Sequence, residues 1–501
     1  MGNLLLLKEY LVISGLIIAT SLFFAIFFKE SIYYKQGFLI GAVTTIAYFS
    51  HNPLIFFALA FFFVKFFNPK ISAASSLGLY FLLLPVIPDK IYYVIPFPGL
   101  EQLFTLNYTR ILNIAVLLPL FLKFARDPRK KIFSFKLDKY VAIFLLYCGI
   151  ISFRDTTFTN ALRINFYLFL DAFLIYFAVS RSIRKFDDFK EVILPMAFTA
   201  FFLAIMAVFE AVKAWHMYLG LLEAMGMPVP LAPYTPRMDS LRAYGPFFGP
   251  ISCGVYFCIM TGLLLYLILI KYKKAQVILS LAMLIFIIAT ICTFSRGPIL
   301  GYALFFLIFG VLSFNKIVKL IPLFLLLFFV ILALPITGKV ISVIPGLGQE
   351  EQGTVTYRQK LLNNAIEVAR QNPLFGSGVY LEEEKMKELT TGLQIIDIVN
   401  SYVGIMLRYG YIGVLFFVSI FIKALFSVYK LARHRKDEEE SLLGKILFSI
   451  TAAFAIVIFT VSLIYPLREY MWILIGLCAA YVAVIKTGQE TVLNEDRLYN
   501  D

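Results

Sequence analysis

The sequence predicts an all-α, polytopic membrane protein of about fourteen membrane-spanning helices, with a range of about twelve to fifteen, and one large helical loop on the outer side. Three observations carry this. The chain of 501 residues is 60% hydrophobic, against roughly 45–50% in soluble domains. Apolar stretches long enough to cross a bilayer, which takes about 20 residues, recur along its whole length. Its basic residues collect in the short connectors between those stretches.

The apolar stretches are 11–28, 37–50, 53–67, 72–87, 107–123, 139–153, 162–179, 191–211, 250–270, 277–294, 297–313, 319–335, 400–427, 446–464 and 470–485. Around His51-Asn52-Pro53 the pattern fits either two tilted helices or one broken helix. The first stretch lacks a small-residue cleavage pattern and runs on into others, so it reads as a first span or signal anchor. With no fixed-period repeat and no low-complexity segment, residues 1–501 read as a single integral membrane domain.

The net charge of +14 follows from the tendency of lysine and arginine to stay on the cytoplasmic side. Placing the connectors Arg126 to Lys131, Arg181 to Lys185, Lys271 to Lys274 and Lys430 to Lys436 there is self-consistent. The segment 213–249, the turn 295–298 and the loop 336–399 then fall outside. No soluble basic domain is present to bind nucleic acid. Cys148, Cys253, Cys258, Cys292 and Cys478 all lie in predicted spans at no metal-binding spacing, and read as packing residues.

Two outer segments are more than turns. The first, 213–249, carries Pro228, Pro230, Pro233 and Pro236, then Arg237, Asp239 and Arg242, and a turn-rich run from Gly245 to Pro250. The second, 336–399, opens with coil around Pro345 to Gly353. Apolar residues at 357, 361, 365, 368 and 369 then predict an amphipathic helix over about 357–370. Thr356 is its expected N-cap, and Asn372-Pro373 with Gly376-Ser377-Gly378 ends it. Arg358 would stand at the positive end of the helix dipole, a conflict that disappears if an anion binds there. A further helix is expected to begin within Gly392 to Tyr402 and enter the membrane. Asp397, Asn400 and Ser401 would then share one face, with Arg408 and the stretch Tyr409-Gly410-Tyr411-Ile412-Gly413 further along.

Ser295-Arg296-Gly297-Pro298 interrupts an otherwise apolar run from Gln276 to Phe314. An arginine deep in hydrocarbon costs several kcal/mol, and Gly297-Pro298 is turn chemistry. Arg296 is therefore expected at a hairpin tip on the water boundary. Arg296 and Arg358 are the lead candidates for a clamp on a diphosphate, because guanidinium offers a fixed fork of donors and keeps its charge. Arg242 and Arg237 are weaker versions of the same case. The alternatives are a snorkelling Arg296 and a plain surface charge at Arg358. Asp397 is the candidate general base for a sugar hydroxyl, and Asn400 would orient the substrate or the base. Asp171, mid-span, is expected to pair with an arginine of another span. Glu210 and Glu469 are expected at the interface. His51, His216 and His434 stand at no catalytic or metal spacing, and no Asp-x-Asp motif lies outside the membrane. No metal or other cofactor is implied.

Four stretches in this order resemble the O-antigen ligase and O-antigen polymerase superfamily of bacterial envelope glycosyltransferases. They are Arg242 to Phe247 with Pro250-Ile251; Ser295-Arg296-Gly297; Arg358 to Pro373 with Gly376-Ser377-Gly378; and Asn400-Ser401-Tyr402 with Gly410 to Gly413. The resemblance covers roughly 105 to 430. It implies an inverting, metal-independent glycosyltransferase in the bacterial inner membrane whose active site faces the periplasm. Such an enzyme moves a glycan from polyprenyl diphosphate to a hydroxyl of a second glycan or of a lipid core. Arginines matching Arg296 and Arg358 would hold the diphosphate. A chain-length regulator or other envelope assembly protein is a candidate further partner. The family's ligases place a histidine where this chain has Val399, which cannot take a proton. Asp397 is the nearest replacement, and the change shifts the reading toward a polymerase or a variant exopolysaccharide enzyme. The alternative reading is a lipid-linked oligosaccharide flippase or other transporter. Against it, the chain shows no pair of related halves with matching broken helices.

Overall fold

The computed structural model describes residues 2–69, 71–126, 135–228, 240–272, 275–318, 352–390 and 396–498. Arg237 and Asp239, the apolar stretch 319–335, the coil before 352 and Gly392 to Ile395 lie outside these residues. Among the described residues eight helices are long and apolar enough to cross a membrane. They are Leu4–Phe28, Tyr108–Ala125, Phe158–Ser182, Asp187–Lys213, Pro250–Leu269, Ser401–His434, Glu438–Val457 and Leu467–Thr487. Four shorter apolar helices join them: Pro53–Phe67, Ala73–Leu83, Gln276–Cys292 and Arg296–Leu312. The protein is a polytopic, mostly helical membrane protein.

At His51-Asn52-Pro53 the two-helix alternative holds. His51 ends the Ile32–Ser50 helix in a left-handed conformation. Asn52 then caps the next helix by accepting from Leu54 N and Ile55 N, with Pro53 at the first helical position, where a missing N–H costs nothing.

The core sits around Pro250–Leu269, nearly all of whose residues are buried among the helices Asp187–Lys213, Gln276–Cys292, Arg296–Leu312 and Glu438–Val457. Outer helices show the complementary pattern. In Lys136–Asp155, Ile143, Leu146, Ile150 and Phe153 are exposed while Val141, Phe144, Leu145 and Cys148 are buried. A spacing of three to four residues puts each set on one face, so the exposed apolar stripe faces lipid. All five cysteines are free and buried, as their position in apolar runs implied.

Helices alternate in direction. Glu9, near the start of the first helix, accepts from Gly220 N and Leu221 N, just beyond the end of Asp187–Lys213. At the opposite end Lys190 pairs with Glu439 at 2.8 Å. Residues 352–390 and 396–400 lie at the Lys213 end, called here the loop end.

Four expectations need correction. The class is not purely α: Tyr92–Phe97 and Leu100–Asn107 form an antiparallel hairpin at the loop end, pairing Tyr92 with Asn107 and Val94 with Thr105. Its aromatic and β-branched residues favour extended backbone, and Gly99 supplies the positive φ of 81° in the turn. The span expected over 446–464 is Glu438–Val457 instead, started by Asp437, whose carboxylate accepts from Glu440 N. The helix expected over 357–370 runs over Gln352–Gln371, so Thr356 is not its cap and Arg358 is not in its first turn. Finally, residues 396–400 are not helical. Asn400 caps Ser401–His434 by accepting from Tyr402 N and Val403 N at 3.0 and 3.2 Å, which starts the helix after Asp397 and removes the shared face.

Candidate active site

Arg296 opens the helix Arg296–Leu312. The chain turns just before it, at Phe294, which adopts a left-handed φ of 45°, so the hairpin tip is Thr293 to Ser295 and Gly297-Pro298 already lies in the helix. Ser295 makes no side-chain bond to the first-turn N–H groups. Its hydroxyl donates to Thr293 O and accepts from Arg242 Nη2 at 2.8 Å. The N-terminus of a seventeen-residue helix, positive by its dipole, thus stands beside a half-buried guanidinium.

Arg242 braces this turn. Its Nε donates to Thr293 O at 3.1 Å, and Ala243 N donates to Cys292 O at 3.0 Å. The outer segment that presents Arg242 is pinned by Glu210, which is fully buried rather than interfacial. One carboxylate oxygen accepts from Met217 N, the other from Tyr244 N and Gly245 N, all at 2.8–3.0 Å. Three backbone donors replace the water that an interfacial carboxylate would use. His216 stacks on Tyr244 with centroids 3.9 Å apart.

The candidate residues meet at a segment the sequence reading passed over, Ile458 to Ser462, which follows the Glu438–Val457 helix. A Cβ at Gly297 would stand 3.3 Å from Val461 and 3.5 Å from Thr460. Arg358 Nη2 reaches Thr460 O at 3.5 Å. Ser401 donates its N–H to Ile458 O and its hydroxyl to Val461 O. The Ser462 hydroxyl donates to Ile398 O at 2.7 Å and to Asp397 Oδ1 at 3.3 Å. The Asp397 backbone is held on its other side by Tyr357, whose hydroxyl donates to Asp397 O and accepts from Asp397 N. Partial burial raises the Tyr357 phenol above its ordinary pKa, which keeps it a donor. Arg358 and Asp397 therefore touch one short segment directly, and Arg296 and Asn400 stand next to it through their neighbours Gly297 and Ser401. Asp397 and Arg358 are exposed there, and Asn400 is occupied as a cap. The signal in the sequence was weak: Thr460 and Ser462 interrupt an apolar stretch just before Pro466.

Two glycine motifs that look unrelated in sequence bind each other. Gly410 breaks the Ser401–His434 helix with φ 67° and ψ −172°, a region open only to glycine. Into the break fits the turn from Pro373 to Gly378. Tyr411 N donates to Pro373 O, Ile412 N to Leu374 O, and Ser377 N to Leu407 O. Arg154 Nη1 bonds Gly376 O at 3.0 Å, and Tyr147 bonds Tyr409 O at 2.7 Å. A Cβ at Gly410 would collide with Leu374 O. Gly410→Ala should therefore cost about 1–3 kcal/mol in backbone strain and release the helix that carries Arg358. Limited proteolysis should show faster cleavage near residues 372–378, with transfer activity down at least about tenfold; an unchanged digestion pattern would contradict this.

The segment continues into a buried charge network. Asp171 accepts from Arg110 at 2.7 and 3.1 Å, so the expected pairing with an arginine of another span is present. Arg468 Nη2 lies 3.7 Å from Asp171 and 2.7 Å from Glu469. Glu469 is buried, not interfacial, because that arginine neutralises it. Arg110 also stacks on Tyr167 at 3.5 Å. One turn of π-helix at Phe169–Phe173 carries Asp171 and another at Asn113–Leu117 follows Arg110, the two joined by Asn113 Nδ2 donating to Leu170 O. Asp89, in the loop before the hairpin, accepts from Asn107 Nδ2 at 2.9 Å. Its carboxyl is pushed up to about 8, first by burial and then by Glu469 and Asp171.

Fold and site together define a polytopic membrane protein with an arginine-bearing polar site at one end of the bundle, a place suited to an anionic lipid headgroup. The O-Antigen ligase family model matches residues 281–418, so the chain carries that family's domain. That domain implies a membrane glycosyltransferase of polysaccharide biosynthesis. The matched span contains Arg296, Arg358, Asp397 and Asn400, while Arg242 and Ile458 to Ser462 lie outside it. No curated protein and no solved structure matches the chain.

Proposed function

We propose that this chain transfers a glycan from polyprenyl diphosphate to an acceptor hydroxyl at the periplasmic face of a bacterial inner membrane, inverting the anomeric centre without a metal ion. The observation that carries this is the gathering of Arg296, Arg358 and Asp397 around Ile458 to Ser462. In this reading residues 1–501 act as one membrane domain of about fourteen spans, and the lipid tail of the donor lies between spans.

The acceptor hydroxyl gives its proton to the Asp397 carboxylate as its oxygen attacks the anomeric carbon. The bond from that carbon to the diphosphate oxygen breaks, and its electron pair leaves with the diphosphate. Arg296, Arg358 and the first-turn N–H groups of Arg296–Leu312 take up the developing charge, which is where fixed donors accelerate most. Arg242 holds the Arg296 turn in register, Asn400 orients the Asp397 loop by capping the following helix, and Arg237, outside the described residues, is a further candidate for the diphosphate. With Val399 in place of a histidine, the acceptor is a second lipid-linked glycan and the product a longer polymer. A chain-length regulator is a fitting partner.

The test uses purified protein, polyprenyl-diphosphate oligosaccharide and EDTA. A ladder of longer lipid-linked glycans is expected, surviving EDTA and falling at least about 100-fold in Asp397→Asn. Transfer only after adding a lipid-core acceptor would make the enzyme a ligase. Full activity in Asp397→Asn would remove it as the base, and no transfer to any acceptor would revive the transporter reading.

A further inference from the structure

The turn that docks into the helix break at Gly410 is bonded to two helices, each with a lipid-facing surface. On Lys136–Asp155 the exposed stripe ends in Ile150 and Phe153. On Ser401–His434, Tyr411, Leu415, Ile422 and Phe426 are exposed, at a spacing that shares one helical face. The two helices pack through Phe144 on Phe417 and Tyr147 on Phe416, with centroids 5.4 and 5.3 Å apart. The side chains of the turn continue this apolar surface. Leu374 is 56% and Phe375 49% exposed, and Val379 and Leu381 are exposed after them. No charge occurs from Pro373 to Leu381, whereas Arg370 precedes the run and Glu382, Glu383 and Glu384 follow it. Exposed apolar groups clustered in this way mark a contact surface.

The backbone gives a second, independent indication. Four successive carbonyls of the turn are met by donors of the two helices. Pro373 O accepts from Tyr411 N, and Leu374 O from Ile412 N and the Tyr147 hydroxyl. Phe375 O and Gly376 O accept from Arg154 Nη1 at 3.2 and 3.0 Å. A turn in water needs no such set, because water would serve. Irregular backbone at membrane depth does need it, because hydrocarbon offers no hydrogen bonds. Arg154, paired with Asp155 and exposed, marks the water boundary beside the turn, since a guanidinium keeps its head among water or headgroups. We propose that the turn from Pro373 to Val379 inserts into the lipid leaflet at the loop end, with Leu374 and Phe375 among the acyl chains. The insertion holds the helix Gln352–Gln371, and Arg358 with it, at a fixed height above the bilayer. It concerns lipid contact alone and is independent of the glycosyl-transfer reading.

The test uses the full chain in bilayer discs of dioleoyl phosphatidylcholine, with a nitroxide on Leu374→Cys or on Phe375→Cys, so that each variant keeps the other side chain. The five native cysteines are buried and do not compete for the label. Ile150→Cys is the lipid reference and Glu384→Cys the aqueous one. Collisions with a water-soluble nickel chelate should fall at least about tenfold below those at Glu384→Cys, because burying one large apolar side chain favours the inserted state by that factor or more. Collisions with oxygen should match those at Ile150→Cys. Chelate collisions equal to the aqueous reference overturn the proposal. So do low collisions with both reagents, which would mean that protein and not lipid covers the turn. Phe375→Trp gives a second reading without a label. Brominated acyl chains should quench its emission beyond that of Trp215 and Trp472 in the wild type, and no added quenching also overturns the insertion.

Discussion

Replacing Arg296 by alanine is expected to lower glycan transfer by about 10²–10³-fold, the loss seen when one preorganised donor to developing charge is removed. The side chain is half-buried and sits at the uncapped start of Arg296–Leu312. There a permanent guanidinium and the positive end of a helix dipole coincide, next to Gly297, which packs against Thr460 and Val461. The fall should appear chiefly in kcat, because the diphosphate gains charge as the glycosidic bond breaks. Arg296→Lys should recover little, since an ammonium offers a point charge where the diphosphate meets a planar fork. Thermal unfolding in detergent should match wild type in both variants. Wild-type kcat in Arg296→Ala would sink the clamp, and a collapsed melting temperature would assign the residue to folding.

Asp171→Ala is the second large effect, and it concerns stability. The carboxylate is 4% exposed and bonded to Arg110 at 2.7 Å, with Arg468 at 3.7 Å. Removing one partner of a buried pair leaves an uncompensated charge, which costs about 3–5 kcal/mol. A paired replacement, Arg110→Met with Asp171→Leu, should recover much of that loss, because neither charge is then desolvated. The cost should also reach the site, since Arg468 lies just beyond the segment that gathers Arg358 and Asp397. Detergent-solubilised unfolding of the three variants decides the matter. If Asp171→Ala unfolds like wild type, or the double variant is no better than the single one, the pair is not the tether inferred here.

Most spans were legible because bilayer and water impose a sharp contrast on a helix: about 20 apolar residues, then charge. Arg296 was legible for the same reason, as the one charge in an apolar run. Local rules failed where a residue's partner was distant. Thr356 looked like a cap, but the helix begins at Gln352. Asp397, Asn400 and Ser401 have helical spacing, yet Asn400 caps the helix and leaves Asp397 outside it. Glu210 and Glu469 looked interfacial at span ends. Their burial depends on Met217, Tyr244 and Gly245 for one and Arg468 for the other.

By itself the sequence determined a helical membrane protein, the side chains able to grip an anion, and a resemblance that the family match bears out. Only the tertiary structure decided that Arg296, Arg358 and Asp397 share a neighbour in Ile458 to Ser462, and that Gly376 docks into the helix break at Gly410. The physical reason is the range of the forces. Hydrophobic periodicity and turn chemistry act within a few residues and leave their record in the sequence. Backbone hydrogen bonds between segments thirty or more residues apart, such as Ser377 to Leu407, depend on positions that no local pattern encodes.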